Sequence, residues 1–145
     1  MPARVFAAVS SGRPLALALV AAAALVVGCG ESGRYHVSGR VTCGDQPVPA
    51  GTITFLPVGS DASQRGAGFC SIVSGSFSSR SGKSPFSGRQ RVLVSGFDGI
   101  PFQSRVGDVV ENNPLGKPLF PTHVEEIDIP RKHGAVFDFA VPKTP

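Results

Sequence analysis

The chain has 145 residues and carries 14 lysines and arginines against 10 aspartates and glutamates, a formal net charge of +4. Its basic residues are scattered singly and mixed with acids, which indicates a solvated surface and excludes the basic runs typical of nucleic-acid-binding proteins. Glycine and proline are abundant, at 18 and 13 residues, and apolar residues at helical spacing are scarce after Cys29, which excludes a mainly helical domain.

The first 28 residues have the composition of a secretory signal. An apolar run from Leu15 to Val27 follows two arginines, Arg4 and Arg13, and no acidic residue precedes it. Signal peptides have this order of a positive region, a short apolar region and a small-residue cleavage site. The apolar run is about 13 residues long, and roughly 20 are needed to span a bilayer. The pattern therefore favours a cleaved signal over a retained transmembrane helix.

The four residues Val26-Val27-Gly28-Cys29 resemble a bacterial lipobox, in which two aliphatic residues and a small one precede a cysteine. The resemblance implies that Cys29 is diacylated and that the chain is cut before it. We therefore expect residues 1–28 to be removed and residues 29–34 to form a lipidated tether. The domain would be anchored to the cell membrane or outer membrane and face the extracytoplasmic space. A cleaved but unlipidated protein is the alternative.

After this cut, 117 residues with a net charge of +2 remain, which is enough for one small domain over residues 35–145. Short segments rich in Val, Ile, Thr and Phe alternate with polar residues, and turn residues separate them. The segments are residues 35–43, 52–56, 68–73, 75–77, 89–97, 124–129 and 134–141. The residues predicted to face inward include Val37, Val41, Ile53, Phe55, Val92, Val94, Ile127, Ile129, Phe137, Phe139 and Val141. About seven short strands predict an all-β domain, an antiparallel β-sandwich of two sheets.

Residues 100–122 are the longest stretch without a clear period, and four prolines interrupt them. A loop of this length in a compact domain is usually functional or partly disordered. Its charged and aromatic side chains are therefore the candidate binding residues. They are Arg105, Asp108, Glu111, Lys117 and Phe120. The Pro-Leu-Phe-Pro end of the loop, residues 118–121, also suits packing against the sandwich, and both interpretations stay open.

Two further cysteines, Cys43 and Cys70, fall on inward positions of their predicted strands. Disulfides persist outside the cytoplasm, so the two thiols are candidates for a bridge that would stabilise the domain by roughly 3.5 kcal/mol in the chain-entropy model. The alternative is a pair of free buried thiols that pack as small hydrophobes. The sequence does not decide between the two because it does not give the separation of the cysteines.

The sequence provides no pattern typical of catalysis or metal binding. The three histidines, His36, His123 and His133, and the cysteines do not occur at metal-ligand spacings. No G-x-S-x-G motif is present to support a serine nucleophile. We therefore expect no metal, no cofactor and no enzymatic activity.

Several segments together resemble carboxypeptidase regulatory-like domains of small bacterial lipoproteins. They are Val37–Thr42, Gln46–Phe55, Gly75–Phe77, Asn113–Pro121 and the closing Phe137–Pro142, which reads F-D-F-A-V-P. The resemblance implies a transthyretin-like β-sandwich with an accessory, non-catalytic role and supplies no catalytic residues. Gln46 and Ser74 depart from the glycine and aspartate usual in the family, which puts the turn chemistry in doubt.

The function expected from the sequence is that of a membrane-anchored interaction module. Its partners would be the lipid bilayer, through Cys29, and another envelope protein or a glycan. The alternative is an envelope hydrolase with a site on the 100–122 loop. The binding partner, the leaflet and the oligomeric state are left open.

Overall fold

A computed structural model describes residues 33–60 and 62–144. The signal segment 1–28, the lipidation site Cys29 and most of the tether lie outside the described residues. The described chain is almost entirely β-structure, with a single 3-10 turn at Ser79–Ser81. In this part of the chain, no helix is long and apolar enough to cross a membrane.

The described residues form eleven strands in chain order. They are β1 (Val37–Cys43), β2 (Gln46–Pro47), β3 (Ala50–Pro57), β4 (Gly68–Val73), β5 (Ser76–Ser78), β6 (Gly88–Phe97), β7 (Phe102–Val106), β8 (Val109–Asn113), β9 (His123–Ile129), β10 (Ala135–Val136) and β11 (Phe139–Val141). The predicted strand over residues 68–73 has the bounds of β4, and the other predicted strands overlap observed ones.

One hydrogen-bonded path joins the strands in the order β10-β1-β5-β4-β3-β6-β9 and curls into a half-barrel. Strand β1 changes partners along its length. Its first half pairs with β5 and β10, and its second half pairs with β2 and β11. The predicted antiparallel pairing is confirmed for seven of the nine strand pairs in the described chain, whereas β10 and β11 in the closing segment both run parallel to β1. The chain returns there across the fold instead of turning back in a hairpin.

The core lies on one face of this path. Alternate residues of β3, β4 and β6 are buried, because successive side chains point to opposite faces of a sheet. In β4, Cys70 and Ile72 are buried, whereas Ser71 and Val73 are exposed. The buried side chains of the strands include Val37, Val41, Ile53, Phe55, Val92, Val94, Ile129, Phe139 and Val141. The predicted inward face is confirmed at these positions, whereas Ile127 and Phe137 are half-buried at the margin of the core.

The turn between β4 and β5 explains one departure from the family pattern. Ser74 and Gly75 both have positive φ, +50° and +79°, as a two-residue type I′ turn requires. The N–H of Ser74 donates to Pro49 O (2.8 Å), and that of Gly75 donates to Val48 O (2.7 Å). Serine is therefore accommodated in a left-handed conformation that it seldom adopts, because both N–H groups of the turn are bonded to the neighbouring segment that precedes β3.

Residues 100–122 contain an ordered β-hairpin, so the expectation of an irregular loop is wrong. Strands β7 and β8 pair in register from Phe102↔Asn113 to Val106↔Val109 and form a separate two-stranded sheet. Gly107, with φ +62°, opens the two-residue turn between them, where glycine avoids the steric cost of a positive φ. Neither face of the hairpin is buried, so the sequence has no period-two pattern at this point.

The two ends of β6 define the two ends of the domain. Gly33 and Arg34 lie beside Ser87 and Phe86, at the Gly88 end of the strand; we call this the tether end. The hairpin follows Phe97, at the opposite or distal end. A ten-residue strand rises about 3.3 Å per residue, which separates the two ends by about 30 Å.

Candidate functional site

The hairpin β7–β8 contains most of the predicted binding residues. Arg105, Asp108 and Glu111 are exposed on it, with Asp108 in its turn. Val106, Val109 and Val110 at its tip are 67%, 61% and 48% exposed. These valines contribute little to the core, and β-branched residues are favoured in strands. The hairpin therefore presents an aliphatic tip with charged residues of both signs beside it.

The base of the hairpin is tied to β6 through Asp98. Its Oδ1 accepts hydrogen bonds from the backbone N–H groups of Ile100 (2.9 Å) and Lys117 (3.0 Å). The N–H of Asp98 donates to Lys117 O (3.0 Å), and that of Gly99 donates to Leu115 O (2.9 Å). The segments before and after the hairpin are both bonded to the turn at Asp98 and Gly99. These bonds hold the hairpin in one orientation relative to the main sheet.

A shallow cleft of about 430 Å³ lies beside this base. Its lining residues are Pro101, Phe102, Gln103, Asn112, Asn113 and Pro114. Gln103 Nε2 donates to Asn112 Oδ1 (2.9 Å), and Asn113 Nδ2 donates to Ser104 Oγ (3.2 Å). Each amide group retains further donors and acceptors. The cleft therefore combines apolar rings with pre-oriented amides, and none of its lining side chains is ionisable.

The structure divides the predicted binding residues into two groups. Arg105, Asp108 and Glu111 share the hairpin, and the Lys117 ammonium lies 5.8 Å from the Phe102 ring centroid, near the hairpin base. The prediction that Phe120 is a binding residue is wrong. Phe120 is only 6% exposed and belongs to the core cluster. Its ring covers Gly96, where an added Cβ would lie 2.6 Å from two ring carbons. Phe120 therefore anchors the segment that follows the hairpin and is not available to a partner.

The two remaining cysteines are free, so the possible disulfide between Cys43 and Cys70 is not present. Strands β1 and β4 lie on either side of β5, and the register of the two pairings places Cys70 level with Val37. Cys43 is six residues further along β1, about 20 Å at the rise of a strand, whereas bridged cysteines have Cα atoms within about 7 Å. Burial raises the pKa of the Cys70 thiol to about 12, so this thiol stays protonated and unreactive at neutral pH.

The fold brings His36 and His133 together, which the sequence analysis missed. Their ring centroids lie 4.9 Å apart, and the backbone N–H of His36 donates to His133 Nδ1 (3.1 Å). His36 Nδ1 lies 2.9 Å from Ser84 Oγ, which lies 3.0 Å from Ser79 Oγ. The two histidines are 97 residues apart, and only the parallel pairing of β1 with β10 makes them neighbours. No spacing motif could have revealed this.

This polar chain lacks the parts of a catalytic triad. A serine protease-like site needs a carboxylate to orient the histidine, and the partners of His36 in the described chain are serine and histidine. Ser79 Oγ also accepts the N–H of Val37 (2.9 Å), so the hydroxyls serve to join strands. Over residues 33–60 and 62–144, no group of three His, Cys, Asp or Glu side chains is arranged to hold a metal.

Comparison with family models, curated proteins and solved structures found no match to this chain. The resemblance to carboxypeptidase regulatory-like domains therefore stays a prediction from the motifs named above.

Proposed function

We propose that the protein is a lipid-anchored module of the cell envelope that binds a partner through the hairpin β7–β8 and has no catalytic activity of its own. In this proposal Cys29 carries the lipid, and the curled sheet is the transthyretin-like β-sandwich that the motifs imply. The observation that carries the proposal is the hairpin itself, which stands outside the main sheet at the end opposite the tether.

Three features of the hairpin support a recognition role. Its exposed valine tip adds apolar surface that the fold does not use. Charged residues of both signs, Arg105, Asp108 and Glu111, flank that tip and suit specific pairing. The bonds to Asp98 hold the hairpin in one orientation, which lowers the entropy lost on binding.

The hydrolase alternative has less support. Residues 100–122 contain no histidine and no cysteine, the side chains most often used as general base or activated nucleophile. The one serine there, Ser104, receives a hydrogen bond from Asn113. We therefore retain the binding module as the proposed function.

The proposal is tested by replacing the hairpin tip with polar residues of similar size. The variant Val106→Thr/Val109→Thr should keep the melting temperature of the wild type, because the tip lies outside the core. It should no longer recover the partner that cross-linking of the wild-type lipoprotein captures in native membranes.

The matched control is Val73→Thr/Val136→Thr, since those valines are 67% and 66% exposed but lie on other strands. This control should recover the partner normally. A hairpin variant that recovers the partner as well as the control does would exclude the hairpin as the recognition element.

A further inference from the structure

The fold gathers basic side chains that are scattered in the sequence. Six of them lie at the tether end, on the segments flanking the Gly88 end of β6 and the strands beside it. They are Arg34, Arg65, Lys83, Arg89, Arg131 and Lys132. We call this set the basic end. In the sequence these basic residues are scattered singly and indicate an ordinary solvated surface, but in the fold they lie together at one end of the domain.

Some of these cations converge on one point. A Cβ built at Gly66 would lie 3.3 Å from Arg34 Nη2 and 3.5 Å from Lys83 Nζ. The Arg34 guanidinium stacks 4.1 Å from the centroid of the Phe86 ring, and that of Arg65 lies 5.9 Å from the same centroid. Like charges brought this close repel one another, and an anion placed among them would be attracted by all of them.

Few carboxylates offset the basic end. Arg89 forms an ion pair with Glu126 at 3.8 Å, and Asp128 is paired in register with Arg89. Glu31 and Asp61 are close in sequence but lie outside the described residues. Within the described ranges, no carboxylate lies within ion-pair distance of Arg34, Lys83, Arg131 or Lys132. Positive charge is therefore in excess at this end.

Chain length limits how far Gly33, at the tether end, can lie from Cys29. Gly33 is four residues from Cys29, and four residues span at most about 14 Å in any conformation. A lipid attached to Cys29 would hold the basic end near the membrane surface, within one to two Debye lengths at physiological ionic strength. The hairpin lies about 30 Å from this end along β6.

We infer that the basic end is a second membrane contact that binds the phosphate groups of anionic lipids and thereby orients the domain with its hairpin away from the bilayer. The inference rests on the proposed lipidation of Cys29. Each lysine or arginine near an anionic surface strengthens attraction about fivefold, equivalent to about 1 kcal/mol. Removing three cations should therefore weaken the contact on the order of 100-fold.

The test uses the isotopically labelled lipoprotein purified from membranes and placed in nanodiscs that contain a headgroup-nitroxide lipid. With phosphatidylglycerol in the nanodisc, backbone amides near Gly66, Lys83 and Phe86 should broaden strongly, and those of the hairpin tip should not. In nanodiscs of phosphatidylcholine alone, and at high salt, the broadening at the basic end should fall.

The test variant is Lys83→Gln/Arg131→Gln/Lys132→Gln, which removes exposed side chains and leaves Arg34 stacked on Phe86. The control, Arg105→Gln/Lys117→Gln/Lys143→Gln, removes the same charge from the distal end, where Lys143 lines a cleft with Leu119 and the N–H of Leu119 donates to Gly96 O (2.9 Å). The test variant should lose the broadening while its melting temperature stays within a few degrees of the wild type, and the control should keep the broadening.

Three measurements separate the possible failures. Intact mass reports whether Cys29 is acylated, so an unacylated protein would contradict the proposed anchoring. An acylated protein whose basic-end amides are insensitive to phosphatidylglycerol would overturn the present inference alone. Inorganic phosphate added without nanodiscs should leave the spectrum unchanged. Saturable shifts at the basic end would indicate a site for free phosphate and would also overturn the lipid assignment.

Discussion

The central strands β3, β4 and β6 and the hairpin β7–β8 are both antiparallel β-structure, but they differ in how the sequence encodes them. Strands β3, β4 and β6 bury alternate side chains, and their period of two is visible in the sequence. Strands β7 and β8 bury almost nothing, and their sequence has no such period. Periodicity therefore reports that one face of a strand is buried, and it does not report extended backbone as such.

The difference between strands with one buried face and strands with both faces exposed also separates residues that stabilise the fold from residues that can bind a partner. Where one face is buried, substitutions change stability, because apolar contacts are lost or charges are desolvated. Where both faces are exposed, substitutions leave the core unchanged, and the surface is available for a partner. The following substitutions compare the two regions.

The largest effect is expected at the closing strand. Phe139 is 2% exposed and its ring packs 5.7 Å from that of Phe77, centroid to centroid. Phe139→Asp would remove the ring and bury an unpaired carboxylate, at a cost of more than about 4 kcal/mol in the free energy of unfolding. Urea unfolding of the variant measures this. Val136→Asp, on an exposed position of β10, should cost less than about 1 kcal/mol. Equal losses of stability in the two variants would contradict the observation that Phe139 is buried and Val136 is exposed.

The strands and their inner faces could be predicted because each long strand carries its own burial pattern. The bounds of β4 and the inward positions Ile53, Phe55, Val92 and Val94 needed no long-range information. Pairing partners could not be predicted in this way. The parallel pairing of β10 and β11 with β1 depends on how the chain returns across the fold, and a local pattern does not encode that path.

The candidate site was predictable only in part. Arg105, Asp108 and Glu111 were found through the length of their loop, but the hairpin that presents them was missed. The dipeptide Gly107-Asp108 between two five-residue segments was the available signal, since such pairs form two-residue hairpin turns. The burial of Phe120 and the gathering of the basic end both depend on the tertiary fold.

A second, smaller loss is expected where the hairpin segment rejoins the main sheet. Phe120→Ala should lower the free energy of unfolding by about 3 kcal/mol, because the ring fills the space over Gly96. Leu119→Ala, at a side chain that is 40% exposed, should lower it by less than about 1 kcal/mol. Thermal and urea unfolding give both values. If Phe120→Ala abolished partner recovery at unchanged stability, Phe120 would be a binding residue and its assignment to the core would be wrong.

The pH dependence of stability should depend on Cys70 in the central sheet. Burial raises the pKa of this thiol from 9.0 to about 12, so the folded chain holds the proton more tightly than the unfolded chain does. The stabilisation is complete below pH 9 and is lost as the pH rises from about 9 to about 12, at no more than about 1.4 kcal/mol per pH unit. Urea unfolding of wild type and Cys70→Ala across this window should show the steeper decline in the wild type. If the stability of the two proteins declined equally across this pH range, Cys70 would not be the group responsible.

The smallest effect on global stability is expected at the hairpin turn. Gly107 has φ +62° with no atom within 4 Å of an added Cβ, so Gly107→Ala introduces only the conformational cost of a left-handed alanine, about 1 kcal/mol. Amide exchange within β7 and β8 should accelerate about fivefold, while the global free energy of unfolding stays unchanged, because the hairpin is a separate two-stranded sheet.

Gly51→Ala in β3 is the contrasting variant, since its Cβ would lie 2.2 Å from Ser95 O and the whole domain should lose stability. If Gly107→Ala lowered global stability by the full local cost, the hairpin would unfold together with the core, and the division of the molecule into a stable sheet and an independent recognition element would be wrong.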